Sequence, residues 1–303
     1  AQVPQVKFVD RTFNCNPKRT VELLQWILEH DNGITNFHFE IAADITTEEE
    51  LAIMEKMRPG LIQLEIGVQS TNPKTVEAIH RTMDLKKLEK IVSRVKSFGN
   101  IHQHLDLIAG LPYEDVKSFQ KSFDDVYAMR PDQLQLGFLK VLKGSGMRED
   151  APGYGINWHE RAPYEVLTTD WLSYGDVLLL KGVEDMVEVY YNSRQFDRTI
   201  SKIMERYASP FLFFKELADF YDREGLAGIG HARIARYEIL RRFLSEEKGW
   251  ELKEYEQCMV LDLYARENLK SRPAFAPDLS PYKEQLKIMT REYGRQVHVE
   301  VLE

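Results

Sequence analysis

Cysteine is nearly missing from this chain. There are two in 303 residues, Cys15 and Cys258, and they lie far apart. Two isolated thiols exclude a disulfide scaffold and fit a reducing, cytoplasmic setting. No stretch approaches the roughly 18 consecutive apolar residues that a spanning helix requires, so no membrane partner is expected. Positive charge is not in excess: 40 basic against 48 acidic residues give −8. That balance argues against extended binding to a nucleic-acid backbone. Internal repeats, low-complexity tracts and a signal-peptide pattern are also absent. What is present is a globular mixture, 43% hydrophobic and 29% charged, long enough for one large domain or two ordinary ones.

The first half alternates between two periodicities. Strand-like runs occur at 6–9, 36–43, 61–68, 101–110 and 133–141. Helical runs separate them at 17–30, 46–57, 72–81, 85–99 and 115–129. Asn16 followed by Pro17 marks one helix start, and Thr46 or Thr47 ahead of three glutamates marks another. Strands interleaved with helices call for parallel βαβ units with right-handed crossovers. The expected fold is therefore α/β, either a doubly wound sheet or a partial barrel.

The strand faces help to choose between these. His38 and Glu40 share one face of their strand, Gln63, Glu65 and Gly67 share one of the next, and His102, His104 and Asp106 share one of the fourth. A doubly wound sheet covered on both sides reads apolar throughout. Polar groups on one face of three strands suggest a lumen that holds a ligand, or a wet core in which they satisfy one another. His102, His104 and Asp106 can also be read as a metal-ligand run, completed by His38 and Glu40, in a barrel hydrolase that activates water. Against that reading, ligands of parallel α/β folds gather at the carboxyl ends of strands, which favours Asp106 and Gly110 over the histidines.

Composition changes near "KGSGMREDAPGYGINW". Beyond it, long helical patterns run over 163–192, 194–207, 210–225, 229–247 and 252–269, and the next strand-like run is "QVHVEVLE" at the end. The expected division is 1–148, a partial barrel, and 149–303, a mainly helical domain whose aromatic residues form its core.

Four motifs in order, "VKFVDRTFNCNPKRT", "LEIGVQSTNPKTVEAIHR", "LDLIAGLPYED" and "LQLGFLKVLKGSGM", resemble radical S-adenosylmethionine (SAM) enzymes. The resemblance covers roughly residues 5–148 and is nearest the branch of oxygen-independent coproporphyrinogen oxidases, methylthiotransferases and cobalamin-binding members. It implies a TIM-like partial parallel (β/α) barrel lacking its first strand. It also implies site residues. Glu40 reaches the amino-acid end of SAM, Gln69 and Asp106 meet the ribose, Ser70 beside Gln69 belongs to the same cofactor site, and Arg81 grips the carboxylate. Ile108, Gly110 and Leu139 lie near the adenine. Chemistry agrees with these types: an ammonium wants a carboxylate, a carboxylate wants a guanidinium fork, and a diol wants acceptors. Alone, Arg81 reads equally as a helix charge paired with Glu77. Asp106 replaces the first glycine of the family's adenine motif.

The resemblance further implies a four-iron cluster, an electron donor such as flavodoxin or ferredoxin, a small-molecule substrate, and reductive cleavage of SAM to a 5′-deoxyadenosyl radical. The family's CxxxCxxC loop is not in this sequence. A fragment whose first strand, cluster loop and cobalamin-binding domain lie upstream is the expected explanation, and such a chain is inactive alone. A non-catalytic scaffold that binds SAM or a protein stays open beside it. "WLSYGDVLLLKGVEDMVE" and "YYNSRQFDRTI" in the second half are similar to a domain of unknown function that follows certain cobalamin-binding members.

Overall fold

A computed structural model describes residues 2–266, 272–294 and 298–301. Five parallel strands form its main sheet: β1 (Gln5–Lys7), β2 (Asn36–Ile41), β3 (Ile62–Gln69), β4 (His102–Ala109) and β5 (Gln133–Phe138). Their order in the sheet is their order in the chain. A doubly wound sheet reverses direction at a switch point; this one does not. It winds one way, as a (β/α) barrel does, and the α/β expectation holds.

The crossover helices are α1 (Pro17–Glu29), α2 (Glu48–Met54), α3 (Pro73–Ala78), α4 (Leu85–Phe98) and α5 (Val116–Ala128). Local chemistry sets their starts. Asn16 accepts the Arg19 amide ahead of Pro17. Thr47, not Thr46, caps α2 in a capping box with Glu50. Asp84 and Asp115 cap α4 and α5. Gly99 ends α4 at φ +71°, a left-handed conformation that suits glycine. Leu64, Ile66, Val68, Leu105 and Leu107 are buried with Leu24, Leu88, Val92, Phe119 and Phe123 of the helices. That apolar layer leaves the opposite face of the sheet to the polar residues.

The segment after β5 departs from expectation. Instead of helix from 163, β6 (Asn157–Trp158) and β7 (Val166–Thr168) pair antiparallel. The hairpin continues the sheet's hydrogen bonding, with Val166 N donating to Leu139 O at 2.9 Å and Val141 N to Tyr164 O at 2.8 Å. A run as short as Val166–Thr168 fits either periodicity, and long-range pairing decided it. A short helix, α6 (Gly146–Asp150), precedes the hairpin, and α7 (Tyr174–Val187) follows it.

Compact units divide the chain between Glu184 and Asp185, beyond the expected boundary at 148, because the hairpin is bonded to the strand ends. The second unit contains α8 (Asp197–Met204), α9 (Pro210–Arg223), α10 (Arg233–Arg242), α11 (Lys253–Tyr264) and α12 (Lys283–Tyr293). Its core holds Tyr190, Phe196, Phe213, Phe214, Tyr237 and Phe243. Of the closing strand expected over 296–303, residues 298–301 are described and form no strand, and the other four lie outside the described residues. No helix among the described residues is long and apolar enough to cross a membrane.

Candidate functional site

Parallel register stacks the polar residues in layers. Lys7, His38, Gln63 and His102 stand side by side across β1–β4. Toward the carboxyl ends come Glu40, Glu65, His104 and Gln133, then Gly67, Asp106 and Gln135. Alternation puts all of them on one face. The polar face expected from the sequence is therefore one continuous surface.

Glu65 lies at its centre. Its Oε2 accepts from Lys7 Nζ at 3.0 Å and lies 2.7 Å from His38 Nε2. Burial raises its pKa, but those two partners outweigh burial and hold Glu65 below the ordinary value. Its neighbours behave oppositely. Burial, then the Glu65 charge, pushes Glu40 up. Burial, then Glu65 and Glu40, pushes Asp106 up to about 8. Burial pushes His104 down. His104 Nε2 is 3.3 Å from Asp106 Oδ1, and neither buried atom has a hydrogen-bond partner.

Gly67 organises the carboxyl end. A bulge follows it in β3, and Gln69 adopts φ +69°. The Gln69 amide folds back over Gly67: a Cβ on Gly67 would lie 2.2 Å from Gln69 Nε2. Gln69 Oε1 is buried without a partner. Arg81, brought back by the turn after α3, donates through Nη2 to Gly67 O. It is not paired with Glu77 but faces the charges of Asp44, Glu40 and Asp106, while burial pulls its pKa below the usual guanidinium value. Glu40, Gln69, Arg81 and Asp106 thus gather around Gly67.

Other expected residues lie elsewhere. Ser70, next to Gln69, is fully buried on the helix side and donates to Glu114 Oε1 at 2.7 Å. Strand alternation separates it from its neighbour. Ser122 Oγ also donates to Glu114 Oε1, at 2.8 Å. Burial, opposed by both serines, pushes Glu114 up to about 7. Ile108 stands opposite Gly137 on β5. Gly110 has φ +90°, and a Cβ there would lie 2.6 Å from Val166 Cγ1. The close approach at this glycine is therefore made by the hairpin's own side chain. Leu139 is buried, its backbone bonded between Ala109 and Val166. Lys7, Gly67 and Glu65 carry roles that sequence reading did not assign. The two-residue alternation exposed the alignment of Glu65 with Gly67, but neither the place of Lys7 nor which of them would interact.

The metal-hydrolase reading is corrected by the same geometry. Alternate residues on a strand are ~6.6 Å apart, so His102 and Asp106 are separated by ~13 Å and cannot share one ion. Among the described residues no group of three or more His, Cys, Asp or Glu could hold a metal ion. Cys15 is exposed in the sheet unit, and Cys258 is half-buried in the helical unit.

Comparison with known proteins adds a family, two relatives and a solved structure. Residues 152–300 match a family described as "Protein of unknown function (DUF4080)". The oxygen-independent coproporphyrinogen III oxidase of Salmonella typhimurium is 29% identical over 107 residues, 33% of this chain and 23% of the relative. The oxygen-independent coproporphyrinogen-III oxidase-like protein HemZ of Bacillus subtilis is 32% identical over 120 residues, 39% of this chain and 23% of that one. The matched stretch thus spans about a quarter of the length of these relatives. Among solved structures, coproporphyrinogen III oxidase (HemN) from Escherichia coli, described as a radical SAM enzyme, superposes with a TM-score of 0.39 at 22% identity over 45% of this chain and 31% of its own.

Proposed function

We propose that this chain, a member of the radical SAM superfamily, binds S-adenosylmethionine at the carboxyl ends of β2, β3 and β4. The observation that carries this reading is the pair of buried acceptors without partners, Gln69 Oε1 and Asp106 Oδ1, on strands joined by the Gly67–Asp106 register. An unmet buried acceptor costs ~1–3 kcal/mol, and the ribose hydroxyls supply donors.

The residues present fit the cofactor. Gln69 and Asp106 accept from the ribose diol. Glu40 offers a carboxylate to the ammonium, and Arg81 offers a guanidinium to the carboxylate. Arg81 is already desolvated, so less hydration is lost when an anion reaches it. Gly67 leaves room for the Gln69 amide that a side chain would displace. Bound beside a reduced iron–sulfur cluster, SAM supplies one-electron, hydrogen-abstracting chemistry; this chain binds and orients it. A four-iron cluster does not fit the chain's own thiols, since three thiolates are required and each unit has one cysteine. Cluster, electron donor (a flavodoxin or ferredoxin), cobalamin and radical cleavage belong to this proposal for the whole protein.

Calorimetric titration with SAM tests the reading. Saturable binding is expected, weakened about tenfold, or ~1.4 kcal/mol, by Gln69→Ala. Absence of binding at millimolar SAM overturns it.

A further inference from the structure

We propose that Glu114 is a positioning residue: through Ser70 and Ser122 it clamps the turn at the end of β3 in the strained shape that aims the Gln69 amide over Gly67. Its consequence for ligand binding rests on the SAM-site reading above.

The turn needs holding. Ser70 N donates to Val68 O at 2.9 Å across Gln69, and Gln69 has φ +69°. A bond between residues two apart, closed over a positive φ, is a γ-turn of the rare and strained hand. Such a conformation in a non-glycine residue costs ~1–3 kcal/mol and persists only where its surroundings impose it. The residues that follow Gln69 must therefore be pinned.

One carboxyl group pins them. The Asn72 amide donates to Ser70 Oγ at 3.0 Å, and the Thr71 amide donates to Ser122 Oγ at 3.0 Å. Each serine oxygen thus has a backbone donor, which turns its own proton away. Both protons go to Glu114 Oε1, at 2.7 Å from Ser70 and 2.8 Å from Ser122. Ser70, Ser122 and Glu114 are all buried, so water does not compete for these bonds. Further bonds tie the same turn to the one that carries Glu114: Asn72 Nδ2 donates to Tyr113 O at 2.8 Å, and Thr75 Oγ1 to Pro112 O at 2.9 Å. Glu114 stands with Ser70 on the helix side, so it acts on the site only through the backbone that Ser70 shares with Gln69. Oε2 has no partner. Glutamine at 114 therefore keeps the acceptor that the clamp uses, while alanine removes it.

SAM titration and hydrogen exchange test the assignment together. Glu114→Ala is expected to weaken SAM binding about tenfold, as Gln69→Ala does, and Glu114→Gln by less than about twofold. In the Gln69→Ala background, Glu114→Ala should cost less than about twofold more, because the amide it aims is gone. A role confined to folding would not distinguish the two backgrounds. Ser122→Ala, a smaller truncation that serves if Glu114→Ala does not fold, should lose about threefold, again only where Gln69 is present. Losses that add in the double variant, to about a hundredfold, overturn the positioning role. Without ligand, the Thr71 and Asn72 amides should exchange at least about tenfold faster in Glu114→Ala, and the Thr71 amide in Ser122→Ala, while the β4 amides stay unchanged. Unchanged exchange at Thr71 and Asn72 overturns the clamp, whatever SAM does. SAM failing to bind the parent chain while these amides respond overturns the SAM site and the aiming of Gln69 at it, and leaves the clamp on the turn standing.

Discussion

The two units bury carboxylates in opposite ways. In the helical unit, Asp262 of α11 is buried and both its oxygens are used. Oδ1 accepts from Arg198 N at 3.0 Å, and Oδ2 accepts from Thr199 N at 2.9 Å and Thr199 Oγ1 at 2.8 Å. These amides belong to the first turn of α8, which has no side-chain cap of its own, so α11 caps α8 from a distance. In the sheet unit, Asp106 and Glu114 each leave one buried oxygen without a partner. The difference separates two uses of a buried acid. One whose bonds are all made in the folded chain acts as structure, while one with bonds to spare has capacity for a proton or a ligand.

Removing the satisfied acid should have the largest effect. Asp262→Ala strips four donors, two backbone amides, the Thr199 hydroxyl and the Arg198 guanidinium, of their acceptor at once, and the helical unit should lose about 3 kcal/mol in chemical denaturation. Hydrogen exchange should speed up first at the α8 amides. A loss below about 0.5 kcal/mol would erase the contrast between the units.

Glu114 tests the other side. Its folded pKa is raised from 4.5 to about 7, so the folded chain binds more protons than the unfolded chain between these values. The resulting stability is full below the unfolded pKa and is lost as pH rises through about 7. Sheet-unit stability should fall by about 3 kcal/mol over that window, and Glu114→Gln should flatten the curve. A slope unchanged in Glu114→Gln would place the titrating group elsewhere.

Gly67→Ala should have the smallest effect on folding and a selective one on binding. The added Cβ meets the far end of Gln69, which can swing away. Unfolding should shift by less than about 1 kcal/mol, while SAM binding weakens about tenfold. Equal losses in both would show that Gly67 serves the strand rather than the site.

Much of the sheet unit was legible because local and long-range preferences agree there. Asn16, Thr47, Asp84 and Asp115 cap the helices they precede, and alternation in β2–β4 placed the polar face correctly. Legibility failed where side chains a few residues apart part company in space. Ser70 faces the helices while Gln69 faces the site, and His102 is too distant to join Asp106 at one ion. It failed again at Val166, whose strand exists because the backbone that follows β5, Leu139 to Val141, bonds to it. The Asp262 cap was invisible because its donors lie 64 and 63 residues away in the chain.

The sequence by itself determined the order of strands and helices, their caps, and which side chains share a strand face. Those follow from backbone sterics and from a periodicity that reads a few residues at a time. Only the tertiary structure decided that Glu65 is held by Lys7 and His38, that Gly67 gathers Gln69 and Arg81, and that Asp106 is buried beside the charges of Glu65 and Glu40. Such pairings depend on the register between strands and on what burial removes from water, and neither quantity exists until the chain has closed on itself.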